Sequence, residues 1–144
     1  MLKANFITAQ EAAEKIQDGS TLCTIGMTLV SASESILKAI EKRFETVGHP
    51  ADITLVHSCG QSDRKDGIQH LAHEGLVKRI VGSHWGLQPR WMEMIANSQV
   101  EAYCLPQGQI AQLYRSMACG LPGKMSKVGL GTFIDPRVEG GKMN

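Results

Sequence analysis

The sequence carries no excess of either charge: fifteen lysines and arginines stand against fourteen aspartates and glutamates, for a net charge of +1. The basic residues are scattered, and the densest group, Lys78 and Arg79, is only a pair. No nucleic acid and no anionic membrane surface is expected as a partner, because neither finds a basic footprint here. No apolar run approaches the roughly 18 residues that a spanning helix needs. Met1 to Phe6 holds one lysine and lacks the apolar stretch of a secretory signal. The four cysteines, Cys23, Cys59, Cys104 and Cys119, lie far apart and form no Cys-x-x-Cys pair. Without a signal, reduced thiols in the cytoplasm are expected. Repeats and low-complexity tracts are lacking. So are the nucleotide fingerprints: Gly26 has no Gly-x-Gly-x-x-Gly continuation, and Gly129-Leu130-Gly131 runs into Thr132-Phe133-Ile134 without a third glycine. No Gly-x-x-x-x-Gly-Lys-Ser/Thr loop exists either, which argues against a kinase or a classical dehydrogenase.

What is present suits a packed core. Hydrophobic residues make up 42% of the 144 and charged residues 20%, the balance of one ordinary globular domain. Thr8 and Glu11 form a capping box for a short helix bearing Ala12, Ala13 and Ile16, which Gly19 can stop. Thr21 to Ile25 reads as a buried strand ended by Gly26. Ser31 and Glu34 predict a second capping box, opening a helix whose Ile36, Leu37, Ile40 and Phe44 share one face before Gly48 and Pro50 close it. Further strands are expected at Ile53–His57, Lys78–Gly82 and Val100–Leu105, with a polar loop from Ser58 to Gly67 and a helical turn over Gln69–Gly75. Helices are expected from Pro89 to Asn97, around Trp91, Met92 and Ile95, and from Gly108, with Ile110, Leu113, Tyr114 and Met117 at helical spacing. Lys127–Gly131 could add a strand. Strands alternating with helices predict an α/β fold, an open and mainly parallel sheet with helices on both faces. The chain is expected to be one domain over residues 1–144, incomplete, with an irregular tail over 120–144 that no helix or strand seals.

In such a sheet ligands bind beyond the carboxyl ends of the strands. Four loops lie there: Gly26–Ser31, Ser58–Gly67, Ser83–Gln88 and Pro106–Gly108. Their glycines and small polar residues suit an anionic ligand approached by backbone amides. Gln107, at a strand-to-helix junction, could donate its amide to a developing oxyanion. On the residues alone a solvated turn bracketed by Pro106 and Gly108 is the better reading. His70 and His73, spaced i, i+3 beside Glu74, could share a metal, but no third ligand follows a known pattern, and packing is the better reading. No metal is expected. Cys59 has no local partner to activate it and reads as a semi-buried thiol. Trp85 and Trp91 suit a pocket wall or the core equally. Asp135-Pro136-Arg137 reads first as a local ion pair, and second as an arginine aimed at a carboxylate or phosphate.

Several strings, in this order and spacing, resemble the amino-terminal part of the family I coenzyme A transferases, in particular the propionate and acetate branch. They are Ala72-His73-Glu74-Gly75-Leu76-Val77-Lys78, Gly82-Ser83-His84-Trp85, Pro106-Gln107-Gly108, and Gly129 to Arg137 running on to Gly140-Gly141-Lys142-Met143-Asn144. The resemblance spans nearly the whole chain and implies a coenzyme A transferase-like α/β scaffold whose members are longer. It implies exchange of CoA between an acyl-CoA and a small carboxylate, in ping-pong fashion through a glutamyl-CoA thioester. CoA is then a substrate, and no cofactor is expected. The glutamate matches no residue here, so this chain alone is expected to be inactive, completed by an oligomeric partner or by a carboxyl-terminal half. The resemblance turns the reading of Gln107 toward oxyanion support. It implies CoA or substrate contacts for Gly26, Gly108, Gly129, Gly131, Thr132 and Arg137. Met27-Thr28-Leu29-Val30-Ser31 lacks the additional glycine common in relatives, which leaves the acyl group open. A non-catalytic remnant that binds CoA or a phosphorylated metabolite, or a structural fragment, is the alternative.

Overall fold

The computed structural model describes residues 4–144. Its elements in chain order are α1 (Ala9–Glu14), β1 (Thr21–Thr24), α2 (Glu34–Val47), β2 (Ile53–His57), a 3-10 helix (Gly67–Leu71), β3 (Val77–Gly82), α3 (Pro89–Ala96), β4 (Glu101–Cys104) and α4 (Gln107–Ala118). The four strands form one sheet in the order β1-β2-β3-β4, and every pair is parallel.

Local chemistry accounts for most of these boundaries. Thr8 Oγ1 accepts from the Glu11 amide at 3.2 Å, and the Glu11 carboxylate accepts from the Thr8 amide at 2.7 Å, so the first capping box forms as expected. The second does not. Ser31 has φ +63° and closes the tight turn Met27–Val30, and Ser33 is the N-cap of α2 without a side-chain bond. The Glu34 carboxylate that the box required is committed elsewhere, accepting from the Gly67 amide at 2.9 Å. Sequence alternation is also broken once. The β2–β3 ladder steps from Ile53↔Val77 to Thr54↔Arg79. Lys78 is therefore an unpaired bulge residue, and Lys78 and Arg79 are both exposed.

Successive strand residues face opposite sides of the sheet. Ile53 and Leu55 of β2, Ile80 of β3 and Ala102 of β4 point to one face, where Ala13 of α1, Leu37 and Ile40 of α2, Ile68 and Leu71 of the 3-10 helix, and Trp91 and Met94 of α3 cover them. This is the main core. Trp91 is wholly buried and donates its indole N–H to the Ile68 carbonyl at 2.9 Å, pinning α3 to the 3-10 helix. On the opposite side α4 reaches the strands through Tyr114. There the Tyr114 hydroxyl donates toward the carbonyls of Val56 at 3.1 Å and Thr24 at 3.3 Å, and burial pushes its pKa up to about 12. Helices therefore occupy both faces unequally. Along α4, Ile110 is buried but Met117 is exposed, so only part of its apolar stripe is covered.

Residues 120–144 contain no helix or strand, and the strand expected at Lys127–Gly131 is a series of turns instead. Glycines with positive φ at 129 and 131 bend the chain out of the extended region there. The last residues, by contrast, are ordered against the sheet. Cys104 N donates to the Gly141 carbonyl at 2.7 Å, Met143 N donates to the Ala102 carbonyl at 2.9 Å, and Tyr103 forms an antiparallel bridge with Lys142. The Asn144 side chain completes this edge by donating to the Val100 carbonyl at 2.8 Å. Among the described residues no helix is long and apolar enough to cross a membrane.

Trp91→Phe keeps most of the ring volume but leaves the buried Ile68 carbonyl without its donor. A loss of about 1–3 kcal/mol is expected, read as a lower urea midpoint at unchanged m-value.

Candidate site at the carboxyl edge of the sheet

All four outgoing loops leave from one edge, and hydrogen bonds lock three of them together. Thr28 N donates to the Gly60 carbonyl at 2.8 Å, joining the β1 and β2 loops. Gln61 is wholly buried, and its side-chain amide donates to the Thr24 carbonyl at 2.9 Å. The Gln61 carbonyl accepts from Ile68 N at 2.9 Å. Gln88, with its amide in the orientation that satisfies both neighbours, accepts from Gln61 N and donates to the His84 carbonyl, each at 2.9 Å. The Ser83 hydroxyl donates to the Ser58 carbonyl. The Ser58–Gly67 loop is thus partly interior, with Gly60, Gln61 and Ser62 buried. Gly26 has φ +140°, and a Cβ there would stand 2.8 Å from the Val30 carbonyl oxygen, so the Met27–Val30 turn needs glycine.

Below these loops the last inward-facing layer of the sheet contains Thr24, His57, Gly82 and Cys104. His57 is fully buried and donates Nδ1–H to the Cys59 carbonyl at 2.6 Å. Burial pushes its pKa down to about 4, so the ring is neutral and Nε2 is an acceptor. The ring fills the space beside Gly82, where a Cβ would come within 2.2 Å of Nε2. Trp85 meets this imidazole nearly edge-on, with ring centroids 6.0 Å apart. Both tryptophans therefore pack, Trp91 in the core and Trp85 under the loops. Cys59 contributes its carbonyl rather than its thiol to this arrangement.

The β4 side is built differently. Pro106 caps α4 without a side-chain bond, and Gln107 is the first helical residue, one earlier than expected. Neither Gln107 nor Gly108 donates its backbone N–H to any of the described residues, whereas Gln109 N turns back to the Pro106 carbonyl at 2.8 Å. Among the described residues the exposed Gln107 side chain has no hydrogen-bond partner, so this first turn presents an unspent side-chain amide and two unspent backbone donors. Gly108 has no heavy atom within 4 Å of a would-be Cβ and is open to solvent.

Gly129, Gly131, Thr132 and Arg137 gather around one buried carboxylate. Asp135 accepts from Gly131 N at 2.8 Å, from Arg137 N at 3.0 Å, and from the Arg137 guanidinium through Nε at 3.0 Å and Nη2 at 2.6 Å. The Thr132 hydroxyl closes the same turn onto the Gly129 carbonyl at 2.7 Å. The Arg137 bonds, with the Gly131 amide, hold the Asp135 carboxyl far below the usual carboxylate range. The local ion pair is therefore present, and much of the Arg137 guanidinium is spent on it. A cavity of about 310 Å³ separates this turn from the start of α4, lined by Leu105, Pro106 and Gln109 on one side and by Gly129, Ile134 and Asp135 on the other.

The expected site residues thus fall into two groups. Gly26 belongs to the interlocked β1–β2 side, and Gln107, Gly108 and the Gly129–Arg137 turn belong to the β4 side. No hydrogen bond between their side chains joins the two groups among the described residues. His70 and His73 both bond the Glu41 carboxylate but do not form one ligand set, since His70 clusters with Glu34 and Asp66 and His73 with Glu41 and Glu45. Sequence reasoning missed Gln61, His57 and Asp135 as organisers. For His57 a signal existed, because Ile53, Leu55 and His57 recur with period two and place the imidazole inward. For Gln61 no local signal exists, since its partners are backbone groups of three other segments.

An α/β sheet with a donor-lined carboxyl edge accommodates many chemistries, and the family decides among them. Residues 6–143 match the coenzyme A transferase family, and the chain belongs to it. Caffeate CoA-transferase of Acetobacterium woodii is 42% identical over 142 residues, which are 98% of this chain and 27% of that protein. The acetate CoA-transferase YdiF of Escherichia coli K12 is 38% identical over 140 residues, 96% of this chain and 26% of that protein. A crystal structure of YdiF from E. coli O157:H7, described as a thioester complex with CoA, has a TM-score of 0.89 at 37% identity and covers 96% of this chain and 27% of that one. The chain spans about a quarter of the length of these relatives.

Two predictions follow from the packing. Gly82→Ala is expected to cost about 1–3 kcal/mol of stability, and less than half of that when His57→Ala has already emptied the neighbouring space, a coupling that a double-mutant cycle measures. The depressed Asp135 carboxyl stabilises the 129–137 turn above the ordinary carboxylate pKa, and that contribution is lost as pH falls through the folded value. Asp135→Asn should therefore expose the turn to limited proteolysis at pH 7, whereas the unmutated chain should show the same cleavage only in strong acid.

Proposed function

We propose that these residues form the amino-terminal part of an acyl-CoA:carboxylate CoA-transferase acting on short-chain acids such as acetate or propionate. The observation that carries the reading is the first turn of α4, with its unspent donors at the carboxyl edge of a coenzyme A transferase scaffold. In this reaction a glutamate carboxylate from outside these residues attacks the thioester carbonyl of the donor. Collapse of the tetrahedral centre breaks the C–S bond, giving a mixed anhydride and CoA thiolate. The thiolate then attacks the glutamyl carbonyl, expelling the first carboxylate and leaving a glutamyl-CoA thioester. An incoming carboxylate reverses these steps and departs as the new acyl-CoA.

A carboxylate is a weak nucleophile toward a thioester, so the barrier must fall by placement and by stabilising negative charge on the carbonyl oxygen. Gln107 Nε2 and the amides of Gln107 and Gly108 supply donors for that charge. CoA is bound as substrate, and its long non-reacting part supplies binding energy that supports the transition state. Gly26 and the Gly129–Arg137 turn are the proposed walls of that pocket, with Arg137 already shared with Asp135. The four cysteines are all free, which agrees with a reducing cytoplasm. The proposed partner is the carboxyl-terminal portion of the enzyme, whether on the same polypeptide or on another.

The test is acyl exchange between acetyl-CoA and labelled propionate. Residues 1–144 alone should show none, and adding the carboxyl-terminal portion as a separate polypeptide should restore it. In the complete enzyme Gln107→Ala should lower kcat about 100-fold, equivalent to about 3 kcal/mol. A change below about threefold would assign the oxyanion to other donors, and exchange by residues 1–144 alone would overturn the reading.

A further inference from the structure

The cluster between α2 and the 3-10 helix has no part in the proposed chemistry, yet it is wired to the crevice. His70, largely shielded from solvent, has both ring nitrogens against carboxylates. Nδ1 faces Glu41, and Nε2 faces Glu34 Oε1 at 2.8 Å and Asp66 Oδ1 at 3.3 Å. Ionised carboxylates only accept, so a neutral imidazole would set its lone pair against one of these oxygens. The arrangement therefore requires the imidazolium. Burial of the ring opposes that charge, but the bonds to Glu41 and Glu34 outweigh it and hold the His70 pKa above its ordinary value.

The other charges facing this cluster come from every neighbouring segment. Lys38 of α2 lies 3.1 Å from Glu34 and 3.3 Å from Asp66. His73 lies 2.9 Å from Glu41, and Arg90 of α3 lies 3.5 Å from the same carboxylate. Deprotonating His70 would leave Glu34, Glu41 and Asp66 around a neutral ring, with Lys38 and Arg90 at their outer edges.

Glu34 transmits the result. Its Oε2 accepts from Gly67 N at 2.9 Å. Gly67 lies directly under the crevice loop, where a Cβ would be 2.0 Å from the Gln61 carbonyl oxygen. From there Ile68 N holds the Gln61 carbonyl, and the Gln61 amide holds the end of β1 at Thr24. We propose that imidazolium His70 is a positioning residue for CoA exchange, fixing Glu34 so that Gly67 and Gln61 hold the Ser58–Gly67 loop against β1. The proposal rests on the CoA-transfer reading. The hold is complete below the ordinary histidine pKa of about 6.5 and is lost as pH rises through the folded value.

The experiment uses the complete enzyme, with His70→Gln and His70→Lys alongside it. Amide hydrogen exchange at Gly67 and Ile68 is followed from pH 6 to 9, and the His70 ring is titrated by nitrogen NMR. Protection at these two amides should fall at least about tenfold across the ring's own titration, the loss expected when one charge-assisted hydrogen bond to a buried amide is released. It should stay high to pH 9 in His70→Lys and be low throughout in His70→Gln. The alkaline limb of kcat/KM should follow the same order. A ring midpoint at or below the ordinary value overturns the proposal, as does protection at Gly67 that ignores its titration. Those two readouts need no variant and no activity. Correct protection in an enzyme that transfers no CoA would instead overturn the CoA-transfer reading and leave the clamp standing.

Discussion

A parallel sheet releases every outgoing loop at the same edge, and here the loop after β2 turns inward instead of spreading over the surface. Its backbone groups then need partners that water cannot supply, because each buried N–H or C=O left alone costs as much as a lost hydrogen bond. Gln61 meets this constraint from one position, holding β1, the 3-10 helix and the loop after β3 through its side-chain amide, its carbonyl and its N–H. The arrangement explains why small residues recur around it. A Cβ at Gly67 would overlap the Gln61 carbonyl, and one at Gly60 would stand 2.9 Å from the His84 ring. Exchanging any of these residues would disturb several segments together.

The layer beneath is less completely satisfied. Thr24 Oγ1, His57 Nε2, Gln61 Oε1 and Trp85 Nε1 are the buried side-chain polar atoms without a partner among the described residues, and all belong to the carboxyl end of the sheet and the loops above it. Buried polar atoms are normally paired, so their concentration at this end has local meaning. Within the main core only Trp85, at the loop end, carries such an atom among the described residues. The unpartnered polar atoms thus lie toward the loop end of the sheet, where a site is expected, and not toward its amino end.

The fold was legible in the sequence wherever one element carried its own signal. Thr8 with Glu11 closes a box because nothing else competes for Glu11. Ile53 and Leu55 face inward because alternation in a strand is a property of the strand itself. Ser31 with Glu34 has the same pattern as the first box and fails, because Gly67 and His70, more than thirty residues away, take the carboxylate. The loop over Ser58–Gly67 reads as polar and is partly interior for the same reason: its partners are backbone atoms of distant segments. The tail reads as irregular because turns dominate it, yet its last four residues find an unpaired edge at β4. At the site, Gln107 and Gly108 were visible as a strand-to-helix junction. Asp135 was visible only as half of an ion pair, and its wider role depends on the Gly131 amide folding back over it.

The two sides of the crevice answer different physical demands. Donors for a transient oxyanion act best when they need not reorganise. Those at the start of α4 are fixed by the buried Ile110 and by the hydroxyl of Tyr114 reaching across the sheet to two strand carbonyls. The β1–β2 side opens with a turn rather than with the first turn of a helix. Its Met27–Val30 turn is held by one bond to Gly60 and by the Gln61 network behind it, and that network ends in a histidine whose charge depends on pH. In the proposed transfer, electrostatic support would then come from the rigid side, while the side able to loosen would shape the space for the acyl group and CoA. The two sides still meet at one atom, because the Tyr114 hydroxyl of α4 and the Gln61 side-chain amide both donate to the Thr24 carbonyl at the end of β1.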